Sequence, residues 1–93
     1  MSKVRVALVG TGAFGIKHLD ALKNISDAEV TCVVSREEDN VKAVAEKYNV
    51  PHYTTNFDEM LAMDDVDAVI LCTPRQMHAA QTLQCLKAGK HVQ

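Results

Sequence analysis

The chain has 93 residues, 47 % of them hydrophobic and 24 % charged, which fits one small soluble α/β or mixed domain and no more. Its formal net charge is −2, so it carries no basic footprint for nucleic acid. No apolar run approaches the ~18 residues that span a bilayer, and Met1-Ser2-Lys3 leads straight into a strand pattern without a signal peptide, so a cytoplasmic location is expected.

Val4 to Val9 is almost continuously apolar, as expected of a strand covered on both faces. It breaks into Gly10-Thr11-Gly12-Ala13-Phe14-Gly15, three glycines spaced G-x-G-x-x-G, and a helical pattern follows from Ala13 to about Asn24. Gly10 permits a tight turn, Gly12 lets backbone approach a pyrophosphate, and Gly15 lets the helix pack on the strand. The helix start then offers free N–H groups and a positive dipole end to phosphates. The strand before and the helix after supply the context that makes this motif a dinucleotide fingerprint; a glycine-rich turn without a ligand is the competing reading. His18, on the helix, is read either as a solvated side chain or as one turned to a ligand.

Glu29 to Val34 is rich in β-branched residues and reads as the second strand, ending at Ser35-Arg36. A helix follows from about Glu37 to Tyr48, with Val41, Val44, Ala45 and Tyr48 on one face. Asn49 suits a left-handed cap, and Pro51 prevents the helix from resuming. His52-Tyr53-Thr54 is a short third strand, and Asn56 with Glu59 forms a capping box for a helix reaching about Ala62. Ala68 to Cys72 is the fourth strand, closed by Thr73-Pro74. A last helix runs from about Gln76 to Ala88, with an expected inner stripe of Ala79, Thr82, Leu83 and Leu86 and with Gly89 as its terminator. His91-Val92-Gln93 begins a fifth strand.

Strand and helix alternate without a tight hairpin, the pattern of a parallel sheet with helices on both faces. With the glycine fingerprint it predicts a Rossmann-type, doubly wound fold of strand order 3-2-1-4-5, one nucleotide-binding unit over residues 1–93, with the ligand at the C-terminal ends of the first and fourth strands. Cys32, Cys72 and Cys85 are odd in number and widely spaced, which argues against zinc and disulfides and for small buried hydrophobes.

The end of the second strand chooses between the nicotinamide cofactors. An Asp or Glu there would bond the adenosine ribose hydroxyls of NAD. Ser35-Arg36 instead supplies a hydroxyl and a guanidinium, which suit the extra phosphate of NADP. Ser35 with Glu38 also fits a capping box, and Arg36 fits a solvated surface charge. NADP is favoured over NAD.

Leu71-Cys72-Thr73-Pro74-Arg75-Gln76-Met77-His78 and Lys87-Ala88-Gly89-Lys90-His91-Val92, together with the glycine fingerprint, resemble the glucose–fructose oxidoreductase / inositol dehydrogenase (Gfo/Idh/MocA) family of nicotinamide-dependent oxidoreductases over the whole chain. The resemblance implies that Thr73, Pro74 and His78 line the nicotinamide side of the cofactor site, and that Cys72 beside them is also a cofactor-binding residue. A helix-start histidine without a ligand is the alternative for His78. Arg75 stands where many relatives have Asn, which departs from the family pattern. Ala13 to Asp20 and Cys72 to Ala79 are similar to family members that oxidise a cyclic hemiacetal with NADP in the breakdown of aromatic compounds. An NAD-dependent sugar or inositol dehydrogenase and a non-catalytic dinucleotide-binding module are the alternatives. The resemblance further implies that the catalytic lysine segment and a substrate domain for a small molecule follow Gln93, so no catalytic residue is assigned here. It also implies that the full-length protein is a homo-oligomer, binding neither nucleic acid nor membrane. The chain alone would then expose an apolar strand edge. Self-association or marginal stability is expected, and sedimentation velocity combined with thermal melting checks it.

Overall fold

The computed structural model describes residues 4–10, 13–22, 27–73 and 75–92, without the side chains of residues 13, 14, 16 and 75. Nine elements alternate along the chain: β1 (Val4–Val9), α1 (Ala13–Leu22), β2 (Ala28–Val34), α2 (Glu38–Lys47), β3 (His52–Thr54), α3 (Phe57–Leu61), β4 (Ala68–Leu71), α4 (Arg75–Lys87) and β5 (His91–Val92). The strands form one parallel sheet in the order β3-β2-β1-β4-β5, the expected doubly wound arrangement. Cys72 falls just past β4 rather than within it.

Alternation along the central strands builds two cores, one on each face. Ala7, Val9, Cys32, Val34 and Val69 pack with Met60 of α3 and Cys85 of α4. Leu8 and Val33 point the other way, onto Leu19 of α1 and Val41, Val44 and Ala45 of α2. The nearly continuous apolar run of β1 therefore reflects helices on both sides. Between Val6 and Ala7 the β1–β2 register shifts by one residue, and the extra residue is Thr31. Thr31 is buried, and its hydroxyl donates to the Asp65 carbonyl at 2.8 Å, so the bulge leaves its polar atom satisfied.

The helix ends follow local rules. Asn49 adopts φ 57°, and the amides of Asn49 and Val50 return to the carbonyls of Glu46 and Ala45. Gly89, at φ 78°, closes α4 in the same way, through its own amide and that of Lys90. Both are left-handed terminators of the paired-bond type. Asn56 Oδ1 accepts the Glu59 amide at 3.1 Å, the expected cap of α3.

Two expectations fail. The Ser35–Glu38 capping box does not form: the cap position of α2 is Glu37, without a side-chain bond. The Ser35 amide is held by the Thr54 carbonyl at 3.3 Å, which extends the β2–β3 pairing and delays the helix. The inner stripe of α4 is also displaced. Gln81 and Cys85 are buried, whereas Leu83 and Leu86 are 53 % and 58 % exposed and Ala79 faces out. The sheet takes the helix face that carries the smaller and more polar residues.

At the N-terminal edge of the sheet, Arg5 clamps the segment entering β4. Its amide and Nε donate to Asp67 Oδ2 at 2.9 and 3.0 Å, and its Nη2 donates to Oδ1 at 3.0 Å. The Asp67 amide answers by donating to the Arg5 carbonyl at 2.7 Å. The Arg5 side-chain and backbone bonds hold the Asp67 carboxyl down to about 2, against an ordinary 3.8. A carboxyl more acidic in the folded than in the unfolded chain adds stability above its unfolded pKa, and that stability is lost as the pH falls through the folded value. Urea unfolding at pH 5 and again near pH 2 is therefore expected to show a smaller acid-induced loss for Asp67→Asn than for the unaltered chain.

Candidate functional site

The strand order places β1 between β2 and β4, and the helices that follow β1 and β4 pack on opposite faces of the sheet. Such switch points open a crevice beyond the C-terminal strand ends. Here a cleft of about 540 Å³ opens at that place. Val9 and Gly10 form its floor, Ser35, Arg36 and Asn40 one wall, and Cys72, Thr73, Met77 and Gln81 the other.

The floor is made by close backbone approach. The Gly10 amide donates to the Val34 carbonyl at 2.8 Å, and the Cys72 amide donates to the Val9 carbonyl at 2.7 Å, so three strand ends meet at one point. Gly10 has φ +98°, and a Cβ on it would lie 2.7 Å from the Cys72 carbonyl oxygen. A Cβ on Gly15 would collide with the Gly10 carbonyl. Gly10 therefore lets the end of β4 close on β1, and Gly15 lets α1 close on the end of β1, without side chains in between. Thr11 and Gly12 lie outside the described residues, and Ala13 and Phe14 are described as backbone only, in the first turn of α1.

On the β2 side, the Ser35 hydroxyl lies 3.3 Å from Asn40 Oδ1. The exposed Arg36 guanidinium reaches across the cleft to Met77 Sδ at 3.6 Å. Glu37 lines the same wall. On the β4 side, Thr73 Oγ1 donates to Gln81 Oε1 at 2.6 Å. Cys72 is half-buried, and burial pushes its thiol above the usual range, so it stays protonated and lines the cleft as a small apolar surface. Cys32 and Cys85 are fully buried in the core on the α4 face of the sheet, and burial pushes the Cys32 thiol up to about 12.

Pro74 lies outside the described residues. His78 is half-buried on α4 and does not line the cleft; its Nε2 is buried without a hydrogen-bond partner among the described residues. The structure thus brings together Gly10, Ser35, Arg36, Cys72 and Thr73, and it adds Asn40, Met77 and Gln81, which motif reading missed. A helical wheel drawn from Thr73-facing positions, rather than from the leucines, would have found Gln81.

The profile of the oxidoreductase family with an NAD-binding Rossmann fold matches residues 4–93. The chain belongs to the Gfo/Idh/MocA family. It is 57 % identical over 90 residues to a 4-carboxy-2-hydroxymuconate-6-semialdehyde dehydrogenase of Sphingobium sp., covering 97 % of this chain and 29 % of that protein. It is 33 % identical over 89 residues to an NADP-dependent scyllo-inositol 2-dehydrogenase of Bacillus subtilis, covering 96 % of this chain and 27 % of that one. The crystal structure of a scyllo-inositol dehydrogenase from Lactobacillus casei, with NAD(H) and scyllo-inositol bound, superposes with a TM-score of 0.92 at 27 % identity, over 98 % of this chain and 27 % of the other. The chain therefore spans under a third of the length of these relatives.

The cleft fits the nicotinamide dinucleotide of this family: its floor is bare backbone where a diphosphate needs close approach, and its walls carry hydroxyls and a guanidinium. No helix among the described residues is long and apolar enough to cross a membrane. Gly10→Ala is expected to cost about 1–3 kcal/mol of unfolding free energy, through the left-handed φ and the Cys72 clash, and to abolish dinucleotide binding. Urea denaturation and calorimetric titration check the two effects separately.

Proposed function

We propose that this chain is the nucleotide-binding part of an NADP-dependent dehydrogenase that oxidises 4-carboxy-2-hydroxymuconate-6-semialdehyde, as its cyclic hemiacetal, to 2-pyrone-4,6-dicarboxylate. The observation that carries the reading is the 57 % identity to the Sphingobium dehydrogenase, supported by Ser35 and Arg36 on the cleft wall. A nicotinamide cofactor held in the cleft would supply the acceptor for the hydride removed from the hemiacetal carbon, with the hydroxyl proton passing to a base in the remainder of the enzyme. The role of these residues is to bind and orient. The side-chain-free end of β1 at Gly10 and the start of α1 receive the diphosphate. Ser35 and the Arg36 guanidinium meet the phosphate on the adenosine ribose. His78 Nε2 is buried without a hydrogen-bond partner among the described residues, and because His78 does not line the cleft no ribose contact is assigned to it. The small-molecule substrate and the homo-oligomeric contacts belong, in this reading, to the remainder of the enzyme, which works in the cytoplasm.

One observation favours NAD as a second reading. Glu37 also lines the cleft, and a carboxylate there would accept from the ribose hydroxyls of NAD and repel the phosphate of NADP.

Calorimetric titration of both cofactors separates the two. If Arg36 reads the phosphate, Arg36→Ala weakens NADP about tenfold or more, the range of a hydrogen bond to a charged group, and leaves NAD within about twofold. If Glu37 dominates, NAD binds at least as well as NADP and Glu37→Gln reverses the order. Substrate-dependent formation of NADPH by the full-length protein, and none by residues 1–93, tests the reaction.

A further inference from the structure

α4 presents a polar residue to the sheet where an apolar one would be expected. Gln81 is only 8 % exposed, and on the same helix face lie Met77, half-buried on the cleft wall, and Cys85, wholly enclosed in the core. A buried amide is costly unless it is hydrogen-bonded. Gln81 is satisfied by one specific group: its Oε1 accepts the Thr73 hydroxyl proton at 2.6 Å, and both residues line the cleft.

A threonine hydroxyl has one proton and two acceptor lone pairs. With the proton committed to Gln81, Thr73 presents only acceptor capacity to the cleft. A phosphate oxygen is also an acceptor and would find no proton there. A ribose hydroxyl or a carboxamide N–H is a donor and would be received. Position points the same way. Ser35 and Arg36 follow β2, Gly10 follows β1 and Thr73 follows β4, and in the sheet β1 separates the other two strands. If the adenosine end lies at Arg36 and the diphosphate at Gly10, Thr73 meets the nicotinamide riboside.

We propose that Gln81 is a positioning residue: by holding the Thr73 proton it sets the turn after β4 as a hydrogen-bond acceptor for donor groups of the nicotinamide riboside, and not for phosphate. This rests on the dinucleotide reading of the cleft. A threonine hydroxyl by itself can bond either phosphate or ribose, and the Gln81 contact decides between them.

The experiment is calorimetric titration of the chain and its variants with two probes, NADP and 2′,5′-ADP, which lacks the nicotinamide riboside. Gln81→Met keeps the length of the side chain and removes the acceptor. It is expected to weaken NADP about three- to tenfold, the range of one neutral hydrogen bond, and to leave 2′,5′-ADP within twofold. Gln81→Glu, which keeps an acceptor oxygen at the same reach, is expected to restore NADP binding. Thr73→Val is expected to weaken NADP to a similar extent, and adding Gln81→Met to it should cost nothing more. The proposal is overturned if Gln81→Met leaves NADP unchanged, if it weakens both probes equally, if Gln81→Glu fails to restore binding, or if the two substitutions add. Failure of the unaltered chain to bind either probe would instead remove the dinucleotide reading, and this proposal with it.

Discussion

The architecture turns on a place where backbone touches backbone. At Gly10 the ends of β1, β2 and β4 come within hydrogen-bonding and van der Waals range of one another, and there is no room for a Cβ against the Cys72 carbonyl. Parallel strands diverge from such a point because their helices leave to opposite faces. The cleft is the space that divergence opens. A side chain at Gly10 would push away the chain leaving β4, and one at Gly15 would push α1 away from the end of β1. The same absence of side chains thus serves packing and access to the backbone amides, which is why the two glycines cannot be assigned to stability or to binding alone.

Much of this was legible from residue types. Continuous apolar runs marked the strands buried on both faces, and the spacing of the glycines marked the switch point. Asn49, Gly89 and Asn56 marked helix ends because left-handed backbone and side-chain capping are local properties. What was not legible depended on tertiary competition. Ser35 has the chemistry of a cap, but the Thr54 carbonyl claims its amide for the sheet, so α2 starts two residues later than that cap would place it. On α4 the leucines suggested an inner face, yet Leu83 and Leu86 are exposed and Gln81 is enclosed. Hydrophobic periodicity identifies the face that avoids water. It does not identify which of two neighbouring faces meets the sheet when one of them carries a functional polar contact.

The two edges of the sheet carry opposite kinds of polar chemistry. At the N-terminal edge, Arg5 and Asp67 satisfy each other with side-chain and backbone bonds, and the charge pair is spent on structure. At the C-terminal edge, Arg36 rests against Met77 Sδ, a weak acceptor that neutralises nothing. A guanidinium is a five-donor fork suited to a phosphate. The family signature and the nicotinamide cofactors named for its relatives agree with the cleft standing at this second edge.

Arg36 and Glu37 are neighbours on one wall, so the choice of cofactor is not set by a single charge. A carboxylate and a guanidinium in adjacent positions act on the phosphate of NADP with opposite sign, and the net preference depends on which one the ribose approaches. The guanidinium has the longer reach and delocalised donors, and it already extends over the cleft as far as α4. Glu37 occupies the cap position of α2, where its carbonyl accepts the Val41 amide at 3.0 Å and its side chain makes no capping bond. An acid at the helix start and a base one residue earlier therefore oppose each other on one wall, and the longer reach of the guanidinium is what the NADP proposal rests on.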